Sequence, residues 1–205
     1  MVAFLRRRAP LIIAVVIALL LGYAAGVLVP SLRTPGDDSV EAGFARDMST
    51  HHAQAVEMSM IAYPKASDVE VKTSAYNIAL GQQAEIGVMQ TWLKDWHLLP
   101  TGTRPKMAWM PDGERTLTNG LMPGMATDAE LTQLQTATGR QLNILFCQLM
   151  LRHHLGGIHM IDGLLAESHD KQVTDVAEMM KKNQQAEIDV FRQTLTSLGA
   201  QPLGS

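Results

Sequence analysis

Phe44-Ala-Arg-Asp-Met48-Ser-Thr-His51-His52 and Phe146-Cys-Gln-Leu-Met150-Leu-Arg-His153-His154 are one pattern written twice, 102 residues apart. Phe, Met and the histidine pair keep register, and Met58 and Met160 close each stretch at the same offset. A second block obeys that offset without a gap: Gln82-Gln83-Ala84-Glu85-Ile86 returns as Gln184-Gln185-Ala186-Glu187-Ile188. Two blocks in one register mark a tandem duplication of a supersecondary unit of about 80 structured residues.

The unit is helical. Phe44, Met48, His51, Ala55, Met58 and Ala62 advance by steps of three and four, one continuous face of a helix over 39–62 that Tyr63-Pro64 ends. Ser67 or Asp68 caps a second helix with Val71, Ala75, Ile78, Gln82, Glu85, Met89, Trp92 and Trp96 on its face. A loop rich in Met, Pro and Gly follows, and Thr127-Asp-Ala-Glu130 is a capping box that opens the next helix, with a break at Gly139. The second copy shows Phe146, Met150, His153, Gly157, Met160 and Leu164, a turn at Ser168-His-Asp170, and then Val173, Ala177, Met180, Gln184, Glu187, Phe191 and Leu198. No stretch alternates as a strand. Two hairpins that each leave an apolar face uncovered predict an all-α four-helix bundle over 38–199, with repeat 1 at 40–98, a loop at 99–126, repeat 2 at 127–199 and a tail at 200–205.

A net charge of -3 gives no basis for nucleic acid as a partner. Cys147 is the single cysteine, on an apolar helical stripe, so no intrachain disulfide can form and a buried inert thiol is expected. Arg6, Arg7 and Arg8 precede an uncharged run from Leu11 to Val29. Its length predicts a transmembrane anchor at 10–30 between a cytoplasmic N-terminus at 1–9 and a linker at 31–37, with the bundle outside an inner (cytoplasmic) membrane. A cleaved signal peptide is the rival reading, since Ala24, Ala25 and Gly26 are small. Gly22 and Gly26 fit the spacing that lets membrane helices pack closely, a hint of a membrane-protein complex.

His51 and His153 share a face with Phe, Met and small residues, while His52 and His154 lie about 100° round. The midpoints of 51/85 and 153/187 both fall in the expected turns, so Glu85 and Glu187 stand level with the histidines. Buried imidazole and carboxylate need a partner. Either a His–Glu pair locks each hairpin, or His51, His52, His153, His154, Glu85 and Glu187, with Met48 and Met150 one turn away, bind a metal. Imidazole with thioether suits copper; imidazole with carboxylate suits zinc or iron. Met107, Met110, Met122 and Met125 in the loop are secondary Cu(I) candidates or simple packing. No helix carries the Glu-x-x-His pattern of di-iron bundles, Glu57 and His159 occupy one repeat position, and no nucleophile set or phosphate loop occurs, so an enzyme is not expected.

Phe44-x-x-x-Met48-x-x-His51-His52, Met122-Pro-Gly-Met125-Ala-Thr, the two Gln-Gln-x-Glu-Ile blocks and Met150-x-x-His153-His154 together resemble the domain of unknown function 305 family, over about residues 40–199. The resemblance implies a ferritin-like helical bundle of a bacterial extracytoplasmic protein, and copper binding, which some members show. Leu155-Gly156-Gly157-Ile158-His159 departs from the family's more usual Glu-Gly-Ala run. The expected function is therefore copper binding or delivery by a membrane-anchored bundle. The alternative is a non-catalytic accessory subunit of a larger membrane complex, such as a respiratory one, with a purely structural His–Glu layer and no metal.

Overall fold

The computed structural model describes residues 13–24, 26 and 34–203 and separates a unit at Met1–Pro35 from one at Gly36–Ser205. The first unit contributes a helix, α1, over 13–24. The second contains α2 (Val40–Ala62), α3 (Val69–Asp95), α4 (Asp128–Thr136), α5 (Gly139–Glu167) and α6 (Lys171–Ser197). Among the described residues there is no strand, and the chain is all-α.

The membrane anchor expected over 10–30 is corrected by these coordinates. Among the described residues no helix is long and apolar enough to cross a membrane. A Cβ added at Gly22 or Gly26 would meet nothing within 4 Å. The cytoplasmic segment at 1–9, the rest of the expected span, residues 31–33 of the linker and 204–205 of the tail lie outside the described residues.

Within Gly36–Ser205 the helix ends follow local chemistry. Ser39 caps α2 by accepting from the Ala42 amide. Asp68 caps α3 through the Glu70 and Val71 amides, at 2.8 and 3.2 Å. Its repeat equivalent Asp170 caps α6 through the Gln172 and Val173 amides, at 2.9 and 3.2 Å. One device therefore closes both hairpins, each satisfying two of the amides a helix start leaves unpaired. Thr127 and Glu130 form the expected capping box on α4, and Gly139, at φ +55°, supplies the left-handed turn between α4 and α5.

α2 packs along α3 and α5 along α6, and the two hairpins meet mainly through α2 and α5; α3 and α6 barely touch. The buried side chains form two apolar halves. One gathers Phe44, Met48, Met89, Trp92, Met160 and Met180, and the other gathers Met58, Ile78, Phe146, Met150 and Phe191. Full burial of such a side chain contributes about 1.5–3 kcal/mol each. The repeated histidines fall between these halves along α2 and α5.

The loop between α3 and α4 is folded onto the bundle. Asp47 on α2 accepts from the Met107 amide at 2.7 Å and from Trp109 Nε1 at 2.8 Å. Trp109 packs edge-on against Phe44, its centroid 5.7 Å away, in space that a side chain at Gly43 would fill. Asn119-Gly120, both at positive φ, make the tight turn that pairs Thr118 with Leu121.

Candidate metal centre

The layer between the two apolar halves is built from histidine. His51, His52, His153 and His154 are all at most 1% exposed. The His51 and His153 rings, one from each repeat, lie face to face with centroids 3.8 Å apart and planes tilted by 31°. His52 Nε2 is 2.8 Å from Glu85 Oε2, and His154 Nε2 is 2.7 Å from Glu187 Oε2. The carboxylates stand level with the histidines, as the hairpin midpoints predict. Each pairs with the second histidine of its repeat, however, and lies partly exposed beside the core stripe rather than on it. Counting from a turn fixes height along a helix but not the rotation of the facing helix.

The central pair is not equivalent across the repeat. His51 Nε2 lies 2.9 Å from the Pro123 carbonyl of the loop, and in the neutral ring that nitrogen donates. His153 Nε2 has no partner. Nor do His51 Nδ1, His52 Nδ1 and His154 Nδ1, so every ring presents one buried, unsatisfied nitrogen. Burial drives the His51 pKa down to about 3, against the pull of the Pro123 hydrogen bond, with His52 and His154 adding to the depression. Burial likewise holds His153 well below its ordinary value, helped by His51, His154 and His52 and opposed by the His51 backbone. Both central rings are neutral at physiological pH, with lone pairs available. Met48 and Met150, fully buried, stand three residues before His51 and His153 on the same helical faces.

These residues fit a soft or borderline cation in kind: imidazole nitrogens without partners, thioethers one turn away, and carboxylates orienting two of the rings. They do not converge. Among the described residues no three His, Cys, Asp or Glu side chains are gathered closely enough to hold an ion. Cys147 is excluded as a thiolate, because burial pushes its pKa up to about 12. In the loop, Met107 and Met122 are buried in the core, Met110 packs against Gly163, and Met125 is half-buried against the same core.

The sequence model of the family called domain of unknown function (DUF305) matches residues 41–195. The chain belongs to that family. A DUF305 protein from Streptomyces coelicolor, classed as secreted, is 40% identical over 83% of this chain and 100% of its own, with a TM-score of 0.76. A DUF305 fragment from Deinococcus radiodurans is 28% identical over 78% of this chain and 95% of its own, at 0.62. CopM in its Cu(I)-bound form is 26% identical over 80% of this chain and 97% of its own, at 0.58, and its Cu(II)-bound form is 27% identical over 78% and 97%, at 0.60. No curated protein matches this chain at a significant level. The secreted relative, with the absence among the described residues of any helix fit to cross a membrane, overturns the inner-membrane location expected for this DUF305 chain. The anchor therefore no longer supports the accessory-subunit alternative.

Several residues that shape the site do not stand out in the sequence. Gln54 holds Ala126 by both backbone groups, accepting from its amide at 2.7 Å and donating to its carbonyl at 2.9 Å. Arg152 grips Glu130 with two 2.8 Å bonds, and this guanidinium holds the Glu130 pKa down to about 2. Gly124 and Gly156 let the loop backbone lie directly on α5, where a Cβ on Gly156 would strike the Pro123 carbonyl. Together these contacts present Pro123 to His51. The visible signal was Met122-Pro-Gly-Met125 itself, whose Pro123 carbonyl meets His51. Within the departure Leu155-Gly156-Gly157-Ile158-His159, Gly157 makes room for the Gln184 amide.

Proposed function

We propose that this chain binds copper in the layer formed by His51, His52, His153 and His154, with Met48 and Met150 as soft supplements, and that it acts as a binding or delivery module. One observation carries the reading: four fully buried imidazoles each keep a nitrogen without a partner. A buried unsatisfied polar group costs about 1–3 kcal/mol, so a layer that leaves four is built for something that satisfies them. Two His–Glu pairs would suffice to lock the hairpins, and a purely structural layer has no use for the stacked central pair. Thioethers on the same faces favour copper over zinc or iron. CopM, solved with Cu(I) and with Cu(II), supports the same choice. Glu85 and Glu187 would orient His52 and His154 through Nε2, which leaves Nδ1 as their donor atom.

The test is metal content by mass spectrometry on the full chain, prepared without an affinity histidine tag and titrated with Cu(I), Cu(II) and Zn(II). About one tightly held copper per chain is expected, lost in the His51→Ala/His153→Ala double variant while far-UV helicity survives. No copper above background on the unaltered chain would refute the reading.

A further inference from the structure

A buried layer needs a way in, and three of its surroundings close it. Apolar halves cap it above and below, and the 122–126 loop, clamped by Gln54 and by the Arg152–Glu130 pair, lies over it along α5. The remaining side is different. Because α3 and α6 barely meet, a groove of about 320 Å³ opens between them, lined by Asn77, Gln82, Glu85, Asn183, Gln184 and Glu187 among others. Glu85 and Glu187 are the members of the histidine layer that reach solvent, with side chains 14% and 30% exposed. Their Oε2 atoms touch His52 and His154, so the groove floor and the histidines are one hydrogen bond apart.

Behind the carboxylates stand Gln82 and Gln184, 5% and 3% exposed, repeat equivalents that both line the groove. Gln82 Oε1 and both amide atoms of Gln184 have no partner, and the Gln184 amide abuts Gly157, one turn beyond His153. Buried amides without partners cost free energy unless something polar visits them. No lysine or arginine lines the groove, so its charge favours a cation. At about 30 Å³ per water, a cation with six waters takes about 180 Å³ and fits within it.

We propose that this groove is the route by which the metal ion reaches the histidine layer. Glu85 and Glu187 receive the cation at the surface, and the side-chain oxygens of Gln82 and Gln184 carry it inward as it sheds water. This assigns a purpose to the repeated Gln-Gln-x-Glu-Ile block, and it rests on the copper reading above. A route, unlike a ligand, changes the rates of arrival and departure equally and leaves the equilibrium untouched.

The experiment places tryptophan at the groove's lip, in Gly81→Trp with Ala186→Trp, and follows Cu(II) transfer from a chromophoric chelator to the full chain by stopped flow. Gly81 is exposed and an added Cβ there meets nothing within 4 Å, so the plug is tolerated. Gly87→Trp, equally open and off the groove, is the control. Loading and release should both slow by about tenfold or more, with the chelator-competition Kd and the melting temperature unchanged and the control at the parental rate. Loading at the parental rate in the plugged variant overturns the route. So does slowing by the control, or a weaker Kd without slower release. Failure of the unaltered chain to take up copper overturns the copper reading and the route with it, whereas normal affinity with unslowed loading overturns the route alone.

Discussion

Acid should weaken this fold through two identified rings, by an amount the structure sets. His51 titrates near pH 6.5 in the unfolded chain and at about 3 in the folded one, and His153 is likewise depressed by burial. Between those values the unfolded ensemble takes up a proton that the native ring refuses, so stability is full above about pH 6.5 and falls as pH drops towards the folded pKa. Going from about pH 7.5 to about pH 5, each ring costs about 2 kcal/mol, and the pair about 4. Against a total of about 5–15 kcal/mol this is a large fraction. Two other shifted groups must be separated from it. Glu130, depressed to about 2, loses its contribution between about pH 4.5 and 2, below this window, and its exposure keeps that contribution small. Asp47 is raised by burial despite its hydrogen bonds to Met107 and Trp109, so its protonation in acid slightly favours the fold. Both groups persist in a His51→Gln/His153→Gln variant and cancel in the difference. Urea unfolding of metal-free parent and variant, followed by circular dichroism across this range, reads that difference directly. The parent should lose about 4 kcal/mol more than the variant. Parallel curves within about 0.5 kcal/mol would mean that the native rings accept protons, and the account of a neutral central pair would be wrong.

Three further outcomes follow from single contacts. Asp47→Ala orphans the Met107 amide and the Trp109 indole N–H, at a cost of about 2 kcal/mol or a melting temperature lower by about 4–8 °C, whereas Asp47→Asn keeps an accepting oxygen and loses less. Thermal melts monitored by circular dichroism separate the two, and equal losses would show that the contact does not anchor the loop. Gly156→Ala should destabilise by about 1–3 kcal/mol in urea titration, because its methyl meets the Pro123 carbonyl. Helix propensity alone predicts a gain of about 1 kcal/mol, as expected at exposed Gly87, so the sign of the change decides. Cys147, buried with its thiol held at about 12, should ignore a thiol reagent in the native chain and react fully in denaturant; labelling of the native chain would contradict that burial.

The helices were legible because burial follows a period of 3.6, and every residue placed on the α2 and α5 stripes is buried. Two caps were legible because Asp68 and Thr127 act on amides two or three residues away, whereas Ser39 and Asp170 read only as a helix start and a turn. His51 and His153 could be aimed inward for the same reason. Their face-to-face contact could not, since it depends on how α2 and α5 are rotated against each other. That rotation also decides that Glu85 serves His52 rather than His51. Pro123 was hidden for a different cause: its contribution is a backbone carbonyl, which no side-chain pattern announces, delivered across 72 positions by Gln54, Arg152 and two glycines. The apolar run at 10–30 misled because its hydropathy was read as a span, while among the described residues no helix is long and apolar enough to cross a membrane.

Duplication explains the layer, and the loop explains why its halves differ. Two copies of one hairpin give matching His–Glu pairs, 2.8 and 2.7 Å, and place His51 against His153 across the interface. Only one copy is followed by the 99–126 segment, and it lies over α5 at Arg152–Gly156 to reach His51. The repeat equivalents at this contact have diverged to suit it: Gln54, which grips the loop at Ala126, corresponds to Gly156, which must be bare to admit Pro123. The loop thus holds one central histidine by its Nε2 and leaves Nε2 of its twin without a partner, so the two rings present different bare nitrogens. A symmetric site would treat them alike. Here His51 keeps Nδ1 without a partner, whereas His153 keeps Nε2.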